Sequence, residues 1–163
     1  MAKYNITEKK IKAPLYRTLL NTELVEELYQ RIMAKFVVEK KYRDPNYSAQ
    51  MLAMELGTNT RYISAVINLR YRDNYSQMVN EFRVKDAMYM LNDKHMEKMT
   101  MEEIALAVGF ANRQSFYAAF FKRTGVSPKE YRRMNVEELD VKMQARKEKQ
   151  KQVRLQKKNQ KEK

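Results

Sequence analysis

The chain predicts an all-helical fold containing two copies of one small unit, and three observations lead there. Only three Gly and three Pro occur in 163 residues, too little material for the turns of a many-stranded sheet. Apolar residues recur at the three-and-four spacing of amphipathic helices. The order short helix, glycine, capped helix appears twice, about fifty residues apart.

From Glu23 the apolar positions Val25, Leu28, Tyr29, Ile32 and Phe36 line one helical face, and Glu23, Glu26 and Glu27 crowd its positive end. This first helix ends before Asp44-Pro45-Asn46. Ser48 is placed to cap a second helix over Ala49 to Leu56, which Gly57 closes, and Asn59 caps a third. The sequence predicts a fourth helix from about Tyr75 to Asn92, with Tyr75, Met78, Val79 and Phe82 on one face and Val84, Ala87, Met88 and Leu91 on the other. A stripe that changes sides suits a connector whose halves pack into different units. Its 18 residues would span about 27 Å, close to one turn of DNA.

Thr100 and Glu103 then form a capping box for a short fifth helix, and Gly109 precedes the cap Asn112 of a sixth. Leu52, Ala53, Leu56 and Gly57 align with Ile104, Ala105, Val108 and Gly109, and after one extra residue Asn59 aligns with Asn112 and Ile63 with Phe116. Ser127-Pro128-Lys129-Glu130 opens a seventh helix through Arg132. Residues 23–135 therefore read as a double helix-turn-helix domain, with a first unit over about 23–74, the connector over 75–92 and a second unit over 93–135.

The flanks are different. Residues 1–22 form a basic arm carrying Lys3, Lys9, Lys10, Lys12 and Arg17 against Glu8. The stretch 136–163 reads as a charged tail, disordered or a fraying helix, because its apolar positions are too scattered to bury a face. Residues 142–163 hold ten Lys or Arg and two Glu, so they supply +8 of the net +13. Such a tail fits a solubility device, a sequence-blind electrostatic arm for nucleic acid, or a partner-binding coil.

Composition narrows the chemistry. There is no Cys and a single His, which excludes disulfides, thiolate metal sites and cysteine nucleophiles and leaves little for hydrolytic chemistry. No metal or cofactor is expected, and His95 reads as an exposed loop residue. The methionines, among them Met51, Met54, Met90 and Met99, read as core filler. No apolar run approaches the roughly 18 residues of a membrane span, and the first twenty residues are too charged for a secretory signal. The expected setting is cytoplasmic and nucleoid-associated, without membrane contact.

If Tyr62, Ile63, Val66 and Ile67 face inward, the third helix turns out Arg61, Ser64, Ala65 and Asn68. The repeat then buries Phe116, Ala119 and Phe120 in the sixth helix and turns out Gln114, Tyr117, Ala118 and Phe121. Arg suits guanine and Asn or Gln suits adenine, so Arg61, Asn68 and Gln114 are candidate base readers, with Arg113 in reach of a base or a phosphate. Tyr117 and Phe121 would seek thymine methyls, a neighbouring helix or another protein. Arg70, Arg72, Arg83, Lys122, Arg123, Lys129, Arg132 and Arg133 flank these helices as candidate phosphate contacts.

The stretch IALAVGFANRQSFYAAFFKRTGVSPKEYR, residues 104–132, resembles the second helix-turn-helix of AraC/XylS-type bacterial transcription regulators. The shared elements are Gly109-Phe110, Asn112, Phe116, Phe120, Lys122, Gly125, Ser127-Pro128 and Tyr131-Arg132. Residues 57–68 and 79–87 are similar to that family's first unit and connecting helix. The resemblance implies a seven-helix, two-unit DNA-binding domain, here without a sensor domain. Its partners would be double-stranded DNA, bound as a monomer, and RNA polymerase as a further candidate. Ala118 stands where many relatives carry Arg and Phe121 where many carry Lys. The competing reading is a protein-interaction adaptor that uses Tyr117 and Phe121 and binds DNA weakly, and the outward face of the sixth helix decides between the two. An enzyme fits least, since no nucleophile–base pair, phosphate loop or metal cluster is apparent.

Overall fold

The computed structural model describes residues 22–134 and 136–159, and the arm expected over 1–22 lies outside the described residues except for Thr22, which begins the first helix. Its α-helices are α1 (Thr22–Val37), α2 (Ala49–Glu55), α3 (Thr60–Arg70), α4 (Tyr75–Asn92), α5 (Met101–Ala107), α6 (Arg113–Thr124), α7 (Pro128–Arg133) and α8 (Val136–Asn159). The 3-10 turns Lys41–Arg43 and Lys94–Met96 are the remaining helical pieces among those residues. Contacts divide the chain into two compact units, one formed by the described residues up to 40 with 47–78, the other by 41–46 with 79 onward.

In the first unit α3 packs on both α2 and α1. Ile32, Phe36, Leu52, Ile63, Val66 and Ile67 are fully buried between them. Phe36 meets the edges of Tyr47 and Tyr75 at 6.4 and 6.1 Å, and the Tyr75 hydroxyl donates to the Tyr47 carbonyl at 2.9 Å. Burial, with the Glu55 carboxylate beside it, pushes the Tyr47 phenol well above its ordinary range.

The second unit gathers Val84, Ala87 and Leu91 of α4 around Ile104, Phe116, Phe120 and Tyr131. The rings of Phe116, Phe120 and Tyr131 follow one another edge-on at 5.6 and 5.3 Å. Thr124, buried, closes its hydroxyl onto the carbonyls of Phe120 and Val126. Residues 41–46 belong to this unit because α4 grips them. Asp86 accepts from the Tyr42 hydroxyl at 3.1 Å and from Nε and Nη2 of Arg43 at 2.7 and 3.0 Å. Arg83 donates to the carbonyls of Tyr42 and Asp44, and Tyr42 stacks on Phe82 at 5.6 Å. Phe82, which the sequence pattern groups with the first half of α4, therefore packs in the second unit, and the contact boundary falls after Met78, one turn into the helix.

The caps are as the sequence expects. Ser48, Asn59, Thr100, Asn112 and Ser127 each accept a backbone N–H with the side chain, and Thr100–Glu103 and Ser127–Glu130 are complete capping boxes. After α2 and after α5 the same C-terminal motif recurs: Thr58 N–H to Ala53 O and Phe110 N–H to Ala105 O, both 2.9 Å, with Gly57 and Gly109 at positive φ.

One expectation needs correction, and one open alternative is resolved. Met51 and Met54 are 41% and 72% exposed, so they are not core filler, whereas Met90 is buried and Met99 half-buried. Of the two states expected for the stretch after 135, disordered or helical, residues 136–159 take the helical one, over 24 residues. It contains no Gly or Pro and is rich in Lys, Arg, Gln and Glu, whose helix propensity carries the helix without a wide apolar stripe.

Candidate nucleic-acid interface

Each Asn-capped helix has one face sealed by core and one face open. On α3, Ile63, Val66 and Ile67 are fully buried and Tyr62 half-buried. Arg61 and Asn68 are exposed and Ser64 is half-buried. The Asn68 amide donates to the Ser64 carbonyl at 2.8 Å, which orients it and leaves its oxygen outward-facing capacity to accept. Ala65 does not face solvent: it is fully buried. Helix α3 touches two neighbours, α1 and α2, so the covered arc is wider than one stripe, and a methyl is short enough to lie within it.

On α6, Arg113, Gln114, Ala118 and Phe121 are exposed, Phe121 to 56%. Tyr117 is half-buried instead of outward. Its ring sits edge-on to Phe116 at 5.8 Å, and its outer face carries the Arg113 guanidinium 5.0 Å from the ring centre. Arg113 also reaches the Tyr117 hydroxyl at 3.4 Å. The tyrosine is thus a platform that steadies a cation, a pairing available to residues four apart on a helix.

The candidate phosphate contacts differ in their surroundings. Arg70 is ion-paired with Glu26 and lies over the Tyr29 ring, Arg123 pairs with Glu81 at 3.2 Å, and Arg83 is committed to the 41–46 segment and to the Phe110 ring. Arg72 is exposed at a left-handed φ of 59°. Arg133, Lys129 and Lys122 are exposed. Arg132 is half-buried: Nη1 donates to Glu97 O at 3.4 Å, while Nε and Nη2 are sealed from solvent without a hydrogen-bond partner. Arg113, Lys129, Arg132 and Arg133 line one open depression of about 380 Å³, with Glu102 its acidic member. Four cations around one concavity make it attractive to a phosphate group.

Arg146, on α8, was not among the residues singled out by pattern. It reaches across 25 positions to the end of α6, donating to Phe121 O and Lys122 O at 2.6 Å each. In sequence it is one cation in a run of them, and no local signal separates it from its neighbours. His95 is exposed, as expected of a loop residue. Among the described residues no His, Cys, Asp and Glu cluster could hold a metal, and no helix is long and apolar enough to cross a membrane.

Short capped helix, left-handed glycine and capped longer helix define an all-helical helix-turn-helix domain, a regulatory and non-catalytic class of fold. Residues 52–134, just over half of the chain, match the model of the helix-turn-helix domain family, and the chain belongs to that family. It is similar to the C-terminal domain of AraT, a response regulator from Geobacillus stearothermophilus, at 25% identity and a TM-score of 0.57, over 64% of this chain and 84% of that one. In fold it is also similar to the C-terminal domain of the two-component response regulator yesN from Fusobacterium nucleatum, at 22% identity, TM-score 0.55, and 64% and 98% coverage. A transcriptional regulator of the AraC-type DNA-binding class from Chromobacterium violaceum shares the fold at 18% identity and a TM-score of 0.56, over 69% and 94% of the two chains. No curated protein matches the chain.

Proposed function

We propose that the chain is a sequence-specific, double-stranded-DNA-binding transcription regulator of the AraC/XylS type, acting on DNA as a monomer. Helices α3 and α6 are its two readers, inserted into successive major grooves. The observation that carries this reading is the repeated Asn-capped helix with a buried apolar back and an open front of donors and acceptors: Arg61 and Asn68 on one, Arg113 and Gln114 on the other. Arg72, Lys122, Lys129 and Arg133 contact phosphates, and Arg132 supports the depression from behind. Ala65 drops out as a reader because it is buried.

The adaptor reading needs Tyr117 and Phe121 presented together as an apolar face. Tyr117 is half-buried with the Arg113 guanidinium over its ring, and Arg146 stands 5.8 Å from the ring of Phe121, which stays 56% exposed, so cations flank both aromatics and favour the DNA reading.

In vitro selection from a random duplex pool tests the proposal. The expected product is one asymmetric motif of about 20 base pairs protected by one chain, because two non-identical readers impose no palindrome. Failure to enrich any motif, or obligate dimers on inverted half-sites, would overturn it.

A further inference from the structure

Among the described residues, Arg146 ties α8 to the end of α6 with three separate accommodations. The Arg146 guanidinium bridges the carbonyls of Phe121 and Lys122 through both terminal nitrogens, at 2.6 Å each. Its carbon centre lies 5.8 Å from the centre of the Phe121 ring. Space for it exists because residue 125 has no side chain: a Cβ on Gly125 would lie 2.6 Å from Arg146 Nη1 and 2.9 Å from its Cδ. A cation at the carbonyl end of α6 also sits at the negative end of the helix dipole, so charge and hydrogen bonding act together.

The pin lies in the middle of the most basic stretch of the chain. Lys142, Lys147, Lys149 and Lys151 are all exposed, and each is within five positions of Arg146, about 8 Å along a helix axis. Residues 142–163 carry ten cations against two Glu. Pinning at the end of α6 therefore keeps a dense positive charge beside a candidate reader.

We propose that α8 is a docked part of the DNA-binding surface: Arg146 fixes it across the end of α6, and Lys142, Lys147, Lys149 and Lys151 grip duplex phosphates beside the groove that α6 enters, whatever the base sequence. This rests on the DNA-binding reading above. It differs from a loose polycationic arm in one testable respect. In a loose arm Arg146 is one charge among ten, whereas here it positions the others.

The experiment measures binding of the selected duplex and a scrambled duplex across a salt series by fluorescence anisotropy. The proteins are the full chain, Arg146→Lys, Arg146→Ala, a Lys147/Lys149/Lys151→Gln triple variant, and truncation after Val141, with helicity and hydrogen exchange of residues 136–159 recorded in parallel. The triple variant should lower the slope of log K against log salt by about 0.9 per phosphate contact, up to about 2.7, with equal loss on both duplexes and an unchanged motif. Arg146→Lys keeps the charge but cannot fork two carbonyls, so it should lose exchange protection over α8 and lower the slope by more than one contact's worth, as Arg146→Ala should. A wild-type slope in Arg146→Lys, or tighter binding after truncation, overturns the docking proposal while leaving DNA binding in place. A full chain that binds no duplex overturns the underlying reading and this proposal with it.

Discussion

Gly57 and Gly109 occupy equivalent positions after α2 and α5, yet alanine should cost very different amounts at the two. Both have positive φ, 66° and 96°, so any side chain carries a conformational cost of about 1–2 kcal/mol. At Gly57 nothing lies within 4 Å of the added carbon, and the cost should stop there. At Gly109 the carbon would stand 2.4 Å from the Tyr42 carbonyl oxygen and 2.6 Å from that of Arg43. Both are backbone atoms of the segment that Arg83 and Asp86 hold in place, so neither can swing aside as a flexible side chain would. Overpacking adds about 1–3 kcal/mol, for a total of about 2–5 kcal/mol. Urea unfolding followed by far-UV circular dichroism reads this directly. With a slope of about 2 kcal/mol/M, Gly57→Ala should move the midpoint down by about 0.5–1 M and Gly109→Ala by about 1–2.5 M. Equal shifts, or a smaller one for Gly109→Ala, would refute the argument that residues 41–46 press on this turn.

Three further outcomes are expected. Arg61→Ala should cost about 1–3 kcal/mol of specific DNA binding and relax preference at one or two base positions in a single-base competition assay; an unchanged preference removes Arg61 from direct readout. Asp86→Asn weakens the bonds to Arg43 and Tyr42, and because Arg43 is 43% exposed the loss is discounted for solvent screening to about 1 kcal/mol, seen as a lower Tm of a few degrees. Backbone N–H groups of Thr100 and Ser127 hold the Glu103 and Glu130 carboxyls below their ordinary value of 4.5. The stability these carboxylates lend is complete above that value and disappears as pH falls through the depressed one, so the wild-type Tm should drop more steeply on acidification than that of the Glu103→Gln, Glu130→Gln double variant, and parallel profiles would count against it.

Local signals in the sequence translated well into structure, and long-range ones did not. Caps, capping boxes and the glycine turns depend on atoms within six residues of one another, and each was readable from residue type and spacing. The buried faces of α3 and α6 followed from helical period, apart from Ala65, whose burial depends on a second neighbour that period cannot reveal, and Tyr117, which is half-buried against Phe116 rather than turned out. The charged residues were least legible. Arg70 meets Glu26 from 44 positions away and Arg83 meets Tyr42 from 41. Arg146 finds the end of α6 from 25. Nothing in a run of Lys and Arg marks which cation the fold will recruit.

The chain order of the clasp around Asp86 has a consequence for synthesis. Residues 41–46 leave the ribosome in the middle of the first unit, whose own residues are all translated by position 78, but their partners on α4 and the turn at Gly109 follow later. The first unit can therefore close while this loop is still waiting for its binding surface. The second unit is correspondingly a discontinuous piece of chain: a fragment that starts at Val79 would remove the Tyr42, Arg43 and Asp44 groups that Asp86 and Arg83 hold and uncover Gly109, so excising a self-sufficient second unit requires carrying Lys41–Asn46 along with it.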